Sequence, residues 1–249
     1  MKQLIRTNII IGVLFILAAG ASPASAQDGA GSALPAGDTA AAHPSTARSG
    51  AQDSPYSLKR GDNEFGFWGG IGFKATRIFG GLREEEARDR RFFIAAFRYG
   101  RTLAANRSLA LQYTLDVIPV AVATGNIERI TTAVTPAGTV TTFERGSAYG
   151  AGLTPLGLQL DFANSSRVKP FVHLNGGFLI FNKPVPLPDA GKFAYVGETG
   201  AGLRIFTSNE QRRAVSLGAK FYHISNGDRS GSNRGYNQFL FYAGFSIFK

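Results

Sequence analysis

The sequence predicts an all-β fold, an eight-stranded antiparallel transmembrane β-barrel preceded by a signal peptide and a disordered linker. Three observations carry that reading. The N-terminus has the parts of an export signal. From about Glu64 onward the chain holds eight segments of alternating polarity, joined in turn by short and long connections. The composition is rich in glycine (31) and phenylalanine (20) and holds no cysteine.

Residues 1–26 form the expected signal peptide. Lys2 and Arg6 make a charged n-region, and Ile9 to Ala19 an apolar h-region too short to span a bilayer. Ala24-Ser25-Ala26 is an A-x-A cleavage site, so the exported chain is expected to start at Gln27. The short apolar run and the good cleavage site argue against a retained anchor. Residues 27–56 are Ala, Gly, Ser, Pro and Asp without periodicity, which predicts a disordered linker with His43 solvated in it. Residues 57–249 form the expected barrel domain. The lack of cysteine excludes disulfides, thiolate metal sites and a thiol nucleophile. No other apolar run reaches the roughly 18 residues that a membrane helix needs. The net charge of +10 suits an anionic surface, and serves loop solubility equally well.

The strand candidates are Glu64–Lys74, Phe92–Leu103, Ser108–Val122, Ala148–Phe162, Arg167–Phe181, Phe193–Thr207, Arg213–Ile224 and Tyr236–Phe248. All exceed the usual soluble strand of about 5–6 residues, and all are long enough to cross a bilayer at a tilt. Alternation is clearest in the third, where Leu109, Leu111, Tyr113, Leu115 and Val117 oppose Gln112, Thr114 and Asp116. The first sets Phe65, Phe67, Ile71 and Phe73 against Glu64 and Lys74. The last sets Phe239, Phe241, Ala243, Phe245 and Ile247 against Gln238, Tyr242 and Ser246. Apolar residues outside and polar residues inside are the mark of a membrane barrel. Pro155 interrupts the fourth segment and marks its weakest point.

Ala104–Arg107, Ala163–Ser166 and Ser208–Arg212 read as tight turns. Ile78–Arg91, Ala123–Ser147, Asn182–Lys192 and Ser225–Gly235 read as long loops. Short periplasmic turns and longer outer loops suit a bacterial outer-membrane barrel with both termini on the periplasmic side. A soluble lipocalin-type barrel would instead turn its apolar residues inward. Eight strands leave a lumen that side chains fill, so no pore is expected.

The chemistry concentrates at the end of the seventh segment, in Phe221-Tyr222-His223-Ile224-Ser225-Asn226-Gly227. His223 and Ser225 are two apart and share a strand face with Val215, Leu217, Ala219 and Phe221. If that stripe faces lipid, a base and a nucleophile stand on the outer wall at head-group depth. A serine hydroxyl needs an adjacent base, and the base needs a third group to hold its tautomer. Asn237 has the parity of Phe239 and Phe241, and the connecting loop places it to lie beside His223.

These residues, His223-Ile224-Ser225-Asn226-Gly227 followed by Asn233, Asn237 and the aromatic last strand, resemble the lipid A 3-O-deacylase (PagL-type) barrels, acyloxyacyl-hydrolase-like esterases of the outer membrane. The likeness is tight over about Phe221–Phe248 and architectural elsewhere. It implies a serine esterase that removes an ester-linked hydroxyacyl chain from the lipid A of lipopolysaccharide. Ser225 would be the nucleophile and His223 the general base. Asn226, Gly227 and Asn233 would supply oxyanion donors or organise the loop. Where the family carries a glutamate this chain has Asn237, which can orient the imidazole without offsetting its charge. In serine proteases the acid-to-amide exchange costs about 10⁴-fold through the wrong tautomer. Asp228 is the other acid within reach. The implied partners are lipid A and membrane lipid, not nucleic acid, and a homodimer is compatible with the likeness. No cofactor or metal is implied.

Blander readings exist for each residue. His223 and Ser225 fit an interfacial aromatic girdle and a turn, and the chain would then be a non-catalytic surface barrel such as an adhesin or envelope-stabilising protein. Asn226, Asn233 and Asn237 are good turn formers. His173 and Asn175 share an inward face and are expected in a hydrogen-bonded lumen network. Glu198, Arg204, Lys74, Asp116 and Lys220 are expected as lumen ion pairs, since burial unpaired is costly. The run Arg83 to Arg91 reads as a solvated loop whose arginines, Arg83 and Arg88 among them, could hold lipid phosphates through charge-assisted hydrogen bonds. The glycines of Gly69-Gly70-Ile71-Gly72 are expected to relieve crowding in a small barrel.

Overall fold

The computed structural model describes residues 54–74, 81–208 and 212–249. The expected signal peptide, His43 and the linker as far as residue 53 lie outside the described residues. Eight strands form a closed barrel in chain order, every neighbouring pair antiparallel. They are β1 (Asn63–Lys74), β2 (Arg91–Ala105), β3 (Leu109–Thr135), β4 (Gly138–Phe162), β5 (Val168–Phe181), β6 (Phe193–Ser208), β7 (Arg213–Ser225) and β8 (Tyr236–Phe248), and β1 closes the barrel on β8. A single helical turn, α1 (Glu84–Ala87), lies in the first long loop. The expected strand bounds hold within two residues except at the outer ends of β3 and β4.

That exception corrects the sequence reading of Ala123–Ser147 as a loop. Both strands continue past the barrel as a hairpin, paired from Arg129↔Glu144 to Thr135↔Gly138 and turned at Pro136-Ala137, with Gly138 leaving the turn at φ +130°. Thr131, Thr132, Val134, Thr139, Val140, Thr141 and Thr142 are β-branched and favour extended backbone. They are exposed on both faces, so no apolar alternation marks the strands. Pro155 does not end β4. The strand runs through it, with the pairing to β5 shifted between Leu153 and Leu156, and Tyr113 donates to the Pro155 carbonyl at 2.6 Å. A bulge absorbs the missing donor.

The outer wall is apolar. Phe65, Phe67, Ile71, Val117, Leu158, Leu174, Leu217, Phe241 and Phe245 are all exposed on it. The lumen is packed with charge. Arg204 donates to Glu64, Asp161 and Gln112, each at 2.8 Å. Arg98 grips Asp116 with two bonds of 2.8 Å, and Lys220 lies 2.7 Å from Glu198. The side chains of these groups are buried, so each charge has its counter-charge inside a low-dielectric wall. Lys74 departs from the expected lumen pairs. It stands at the open rim, 45% exposed, 4.0 Å from Glu84. His173 departs as well: it is buried between the rings of Phe171 and Tyr242, and neither ring nitrogen has a hydrogen-bond partner among the described residues. Asn175 does join the network, through Thr114 and Glu198. Gly70 faces this crowded interior, where an added Cβ would fall 2.5 Å from Leu240.

The short-turn end is sealed by Leu58, Ala110, Phe206, Ala214 and Phe248, with Tyr56 packed against them. The Tyr56 ring lies 6.0 Å from that of Phe206, and Leu58 exchanges two hydrogen bonds with the Asn164 side chain. The last residues before β1 are therefore a plug, and Tyr56 belongs with the barrel rather than with the linker.

Candidate active site

The end of β7 and the start of β8 carry the candidate residues. Inward residues Lys220, Tyr222 and Ile224 are buried, which turns Phe221, His223 and Ser225 to the outer face. β7 and β8 pair His223 with Asn237 and Phe221 with Phe239. Residues directly opposite in an antiparallel pair have Cβ atoms about 4.5–5.5 Å apart, within contact range. The histidine Nδ1 and the Asn237 Oδ1 are 2.5 Å apart. An amide oxygen only accepts, so this arrangement puts the proton on Nδ1 and leaves the Nε2 lone pair. The Phe221 and Phe239 rings meet edge-on below, 6.1 Å between centroids.

Ser225 is the last residue of β7, half-buried, and pairs with Tyr195 of β6. The chain then turns sharply. Asn226 is buried and donates both amide protons, to the carbonyls of Ala190 and Ser232, each at 2.7 Å. Its Oδ1 accepts from the Asp228 N–H at 3.0 Å. Asn226 is thus the organiser of the loop, and its side-chain donors are committed away from any substrate. Gly227 has φ +64°, and a Cβ there would sit 2.9 Å from the Tyr195 ring. Glycine is the residue that fits both demands. Asp228 is exposed in the turn. Asn233 is exposed in the same loop, next to Arg234, which forms an ion pair with Glu86 of α1.

Arg83 and Arg88 are both exposed on the first loop. Arg88 lines a cleft at the rim, together with Lys74, Arg91 and Arg145. Sequence reasoning missed Arg145 because it lies in the hairpin taken for a loop. It also missed Tyr195, which pairs with Ser225 from β6, and Arg229, which reaches Tyr195 from the turn. Arg229 donates to the Tyr195 hydroxyl at 3.2 Å and lies over the Phe193 ring. No local pattern signals them, since the contact depends on the β6–β7 register.

A closed antiparallel barrel with an apolar outer band and a charged, filled lumen is an integral outer-membrane protein. The sequence profile of one family, described as lipid A 3-O-deacylase (PagL), matches residues 108–246, more than half of the chain, and the chain belongs to that family. Two solved structures are similar in outline. One is the crystal structure of the outer membrane enzyme PagL, 13% identical, covering 72% of this chain and 97% of that one with a TM-score of 0.43. The other is the outer membrane protein OprG from Pseudomonas aeruginosa, 9% identical, covering 79% and 99% with a TM-score of 0.45. No curated protein matches.

Proposed function

We propose that this barrel hydrolyses the 3-O-linked hydroxyacyl ester of lipid A, with Ser225 as nucleophile, His223 as general base and Asn237 as the group that orients it. The observation that carries the reading is the outward-facing His223–Asn237 contact of 2.5 Å on the strand that ends in Ser225. In this reading the Ser225 Oγ attacks the ester carbonyl while its proton passes to His223 Nε2. The Gly227 N–H and the Asn233 amide stabilise the tetrahedral oxyanion. Collapse expels the sugar hydroxyl, which takes the proton back from His223. Water, deprotonated by His223, then attacks the acyl-serine; the C–Oγ bond breaks, Ser225 Oγ takes the proton back from His223, and the hydroxy fatty acid is freed. The acyl chains of the substrate already lie against the wall, so the reaction needs no interior pocket.

Asn237 leaves the imidazolium charge uncompensated, but its oxygen holds the useful tautomer. On this arrangement the amide is a weaker partner than an acid without being a misleading one. The test is mass spectrometry of lipopolysaccharide incubated with the detergent-purified protein. Loss of one hydroxyacyl chain is expected with wild type and not with Ser225→Ala. No loss under several lipid conditions would favour a non-catalytic surface barrel. Loss that persists in Ser225→Ala would refute the nucleophile.

A further inference from the structure

The rim of the barrel carries a second polar feature, which the proposed reaction does not use. A cleft of about 710 Å³ opens at the long-loop end against β1 to β4. Its lining includes five cationic side chains, Lys74, Arg88, Arg90, Arg91 and Arg145, above the outward-facing rings of Phe73 and Phe93. Glu84 and Asp89 are the carboxylates in the same lining, and Glu84 lies 4.0 Å from Lys74. Cations therefore exceed carboxylates over an apolar floor.

The wall of the cleft is held in place. Arg90, a nearly buried member of that lining, donates to the carbonyls of Glu86 and Pro186 at 2.5 Å and to that of Asn126. One guanidinium thus ties the α1 segment to β3 and to the loop between β5 and β6. Gly125 lets that segment approach: its φ is +120°, and a Cβ there would lie 2.7 Å from the Asp89 carbonyl oxygen. The Glu86–Arg234 ion pair ties the same segment to the loop that carries Asn233.

The pairing also measures the span. Arg91 pairs with Phe73, Phe73 with Phe239, and Phe239 with Phe221, all on the outer face. His223 and Asn237 form the next outward pair beyond Phe221 and Phe239. Strand spacings of about 4.8 Å set the cleft on β2 about 14 Å along the wall from β7. A phosphorylated sugar head group can bridge that span.

We propose that this cleft binds a phosphoryl group of a membrane-embedded glycolipid. Arg91 and Arg145 grip the phosphate, and the acyl chains lie over Phe73 and Phe93. Guanidinium pairs suit phosphate geometry, and a free phosphate would gain nothing from a phenylalanine floor on the lipid side. That the lipid is the substrate, lipid A, rests on the deacylase reading; that the cleft takes a lipid phosphate does not.

The test uses Ser225→Ala protein in detergent, with and without the added pair Arg91→Gln and Arg145→Gln. Affinity is measured for lipid A in mixed micelles and for lipid A stripped of its phosphates. The double substitution is expected to weaken binding of the phosphorylated lipid about tenfold, the scale of charge-assisted hydrogen bonds. It should leave the stripped lipid unaffected, and Arg91→Lys with Arg145→Lys should restore part of the loss in an equally folded barrel. Equal affinity of the parent protein for the two lipids would overturn the proposal. So would indifference to the double substitution, or displacement of lipid A by an equal concentration of inorganic phosphate. With Ser225 restored, the same double substitution should raise KM for hydrolysis more than it lowers kcat. If no lipid is hydrolysed while phosphate-dependent binding persists, the deacylase reading falls and the cleft stands.

Discussion

Arg204 of β6 meets Glu64 of β1 across the lumen, Nη2 to Oε2 at 2.8 Å, with both side chains buried. The same guanidinium holds Asp161 of β4 and Gln112 of β3, each at 2.8 Å, so one side chain joins four strands. Arg204→Met would strand two carboxylates in a dry interior. Removing one partner of such a pair costs about 3–5 kcal/mol. The variant is expected to unfold at a lower urea concentration in detergent micelles. Adding Glu64→Gln should recover part of the loss, because Asp161 alone then remains unmatched. A variant as stable as wild type would mean that the network contributes no net stability.

The His223–Asn237 contact makes a separate prediction about charge. Asn237→Asp keeps the length of the side chain and replaces the amide with a carboxylate. The carboxylate favours the protonated imidazole that forms during attack, so hydrolysis should rise. Asn237→Leu removes the orienting oxygen and should lower kcat by about 10²–10⁴-fold. Fatty-acid release measured from pH 5 to 9 checks both. A fall in Asn237→Asp at every pH would mean that the site is built around the amide.

The barrel and the parity of its strands were legible because one face of every membrane strand must be apolar, and Phe65, Leu109, Leu217 and Phe241 obey that rule. The His223–Asn237 pairing followed from parity and from the antiparallel connection of consecutive strands. What escaped the sequence has a common cause. Residues 131–134 and 136–142 of the outer hairpin are exposed whichever way they point, so no apolar periodicity marks it. Arg145 went unseen with it, and the approach of Tyr195 to Ser225 needs the inter-strand register. The side-chain bonds of Asn226 run to Ala190 and Ser232, contacts that no local motif announces. Lys74 keeps inward parity but lies above the level at which the lumen closes, so parity alone assigned it the wrong surroundings.

The exposed hairpin predicts its own dispensability. Residues 131–134 and 136–142 are exposed, and their pairing adds no buried core. Replacing residues 130–143 with a two-residue Asn-Gly turn keeps Thr124 and Arg145, and Asn-Gly suits a tight hairpin. The shortened protein should keep its heat-modifiable mobility on gels and its urea midpoint. A marked loss of folded barrel would show that the hairpin guides closure.

Asn226 gives the sharpest separation of stability from activity. Its amide satisfies the carbonyls of Ala190 and Ser232 and the N–H of Asp228, all within the loop system above the wall. Asn226→Ala would leave these groups to find other partners, at about 1–3 kcal/mol for each that stays buried and unmet. The barrel below does not depend on them, since its strands pair without that loop. The urea midpoint should therefore move little, while amide exchange across residues 226–232 quickens. Because Gly227 and Asn233 are the proposed oxyanion donors and are positioned by the same turn, kcat should fall by about 10²-fold, the cost of losing one such donor. Asn226→Asp keeps the acceptor for Asp228 but not the two donations, so it should behave like the alanine variant. Full activity in Asn226→Asp would show that the donations to Ala190 and Ser232 do not hold the site.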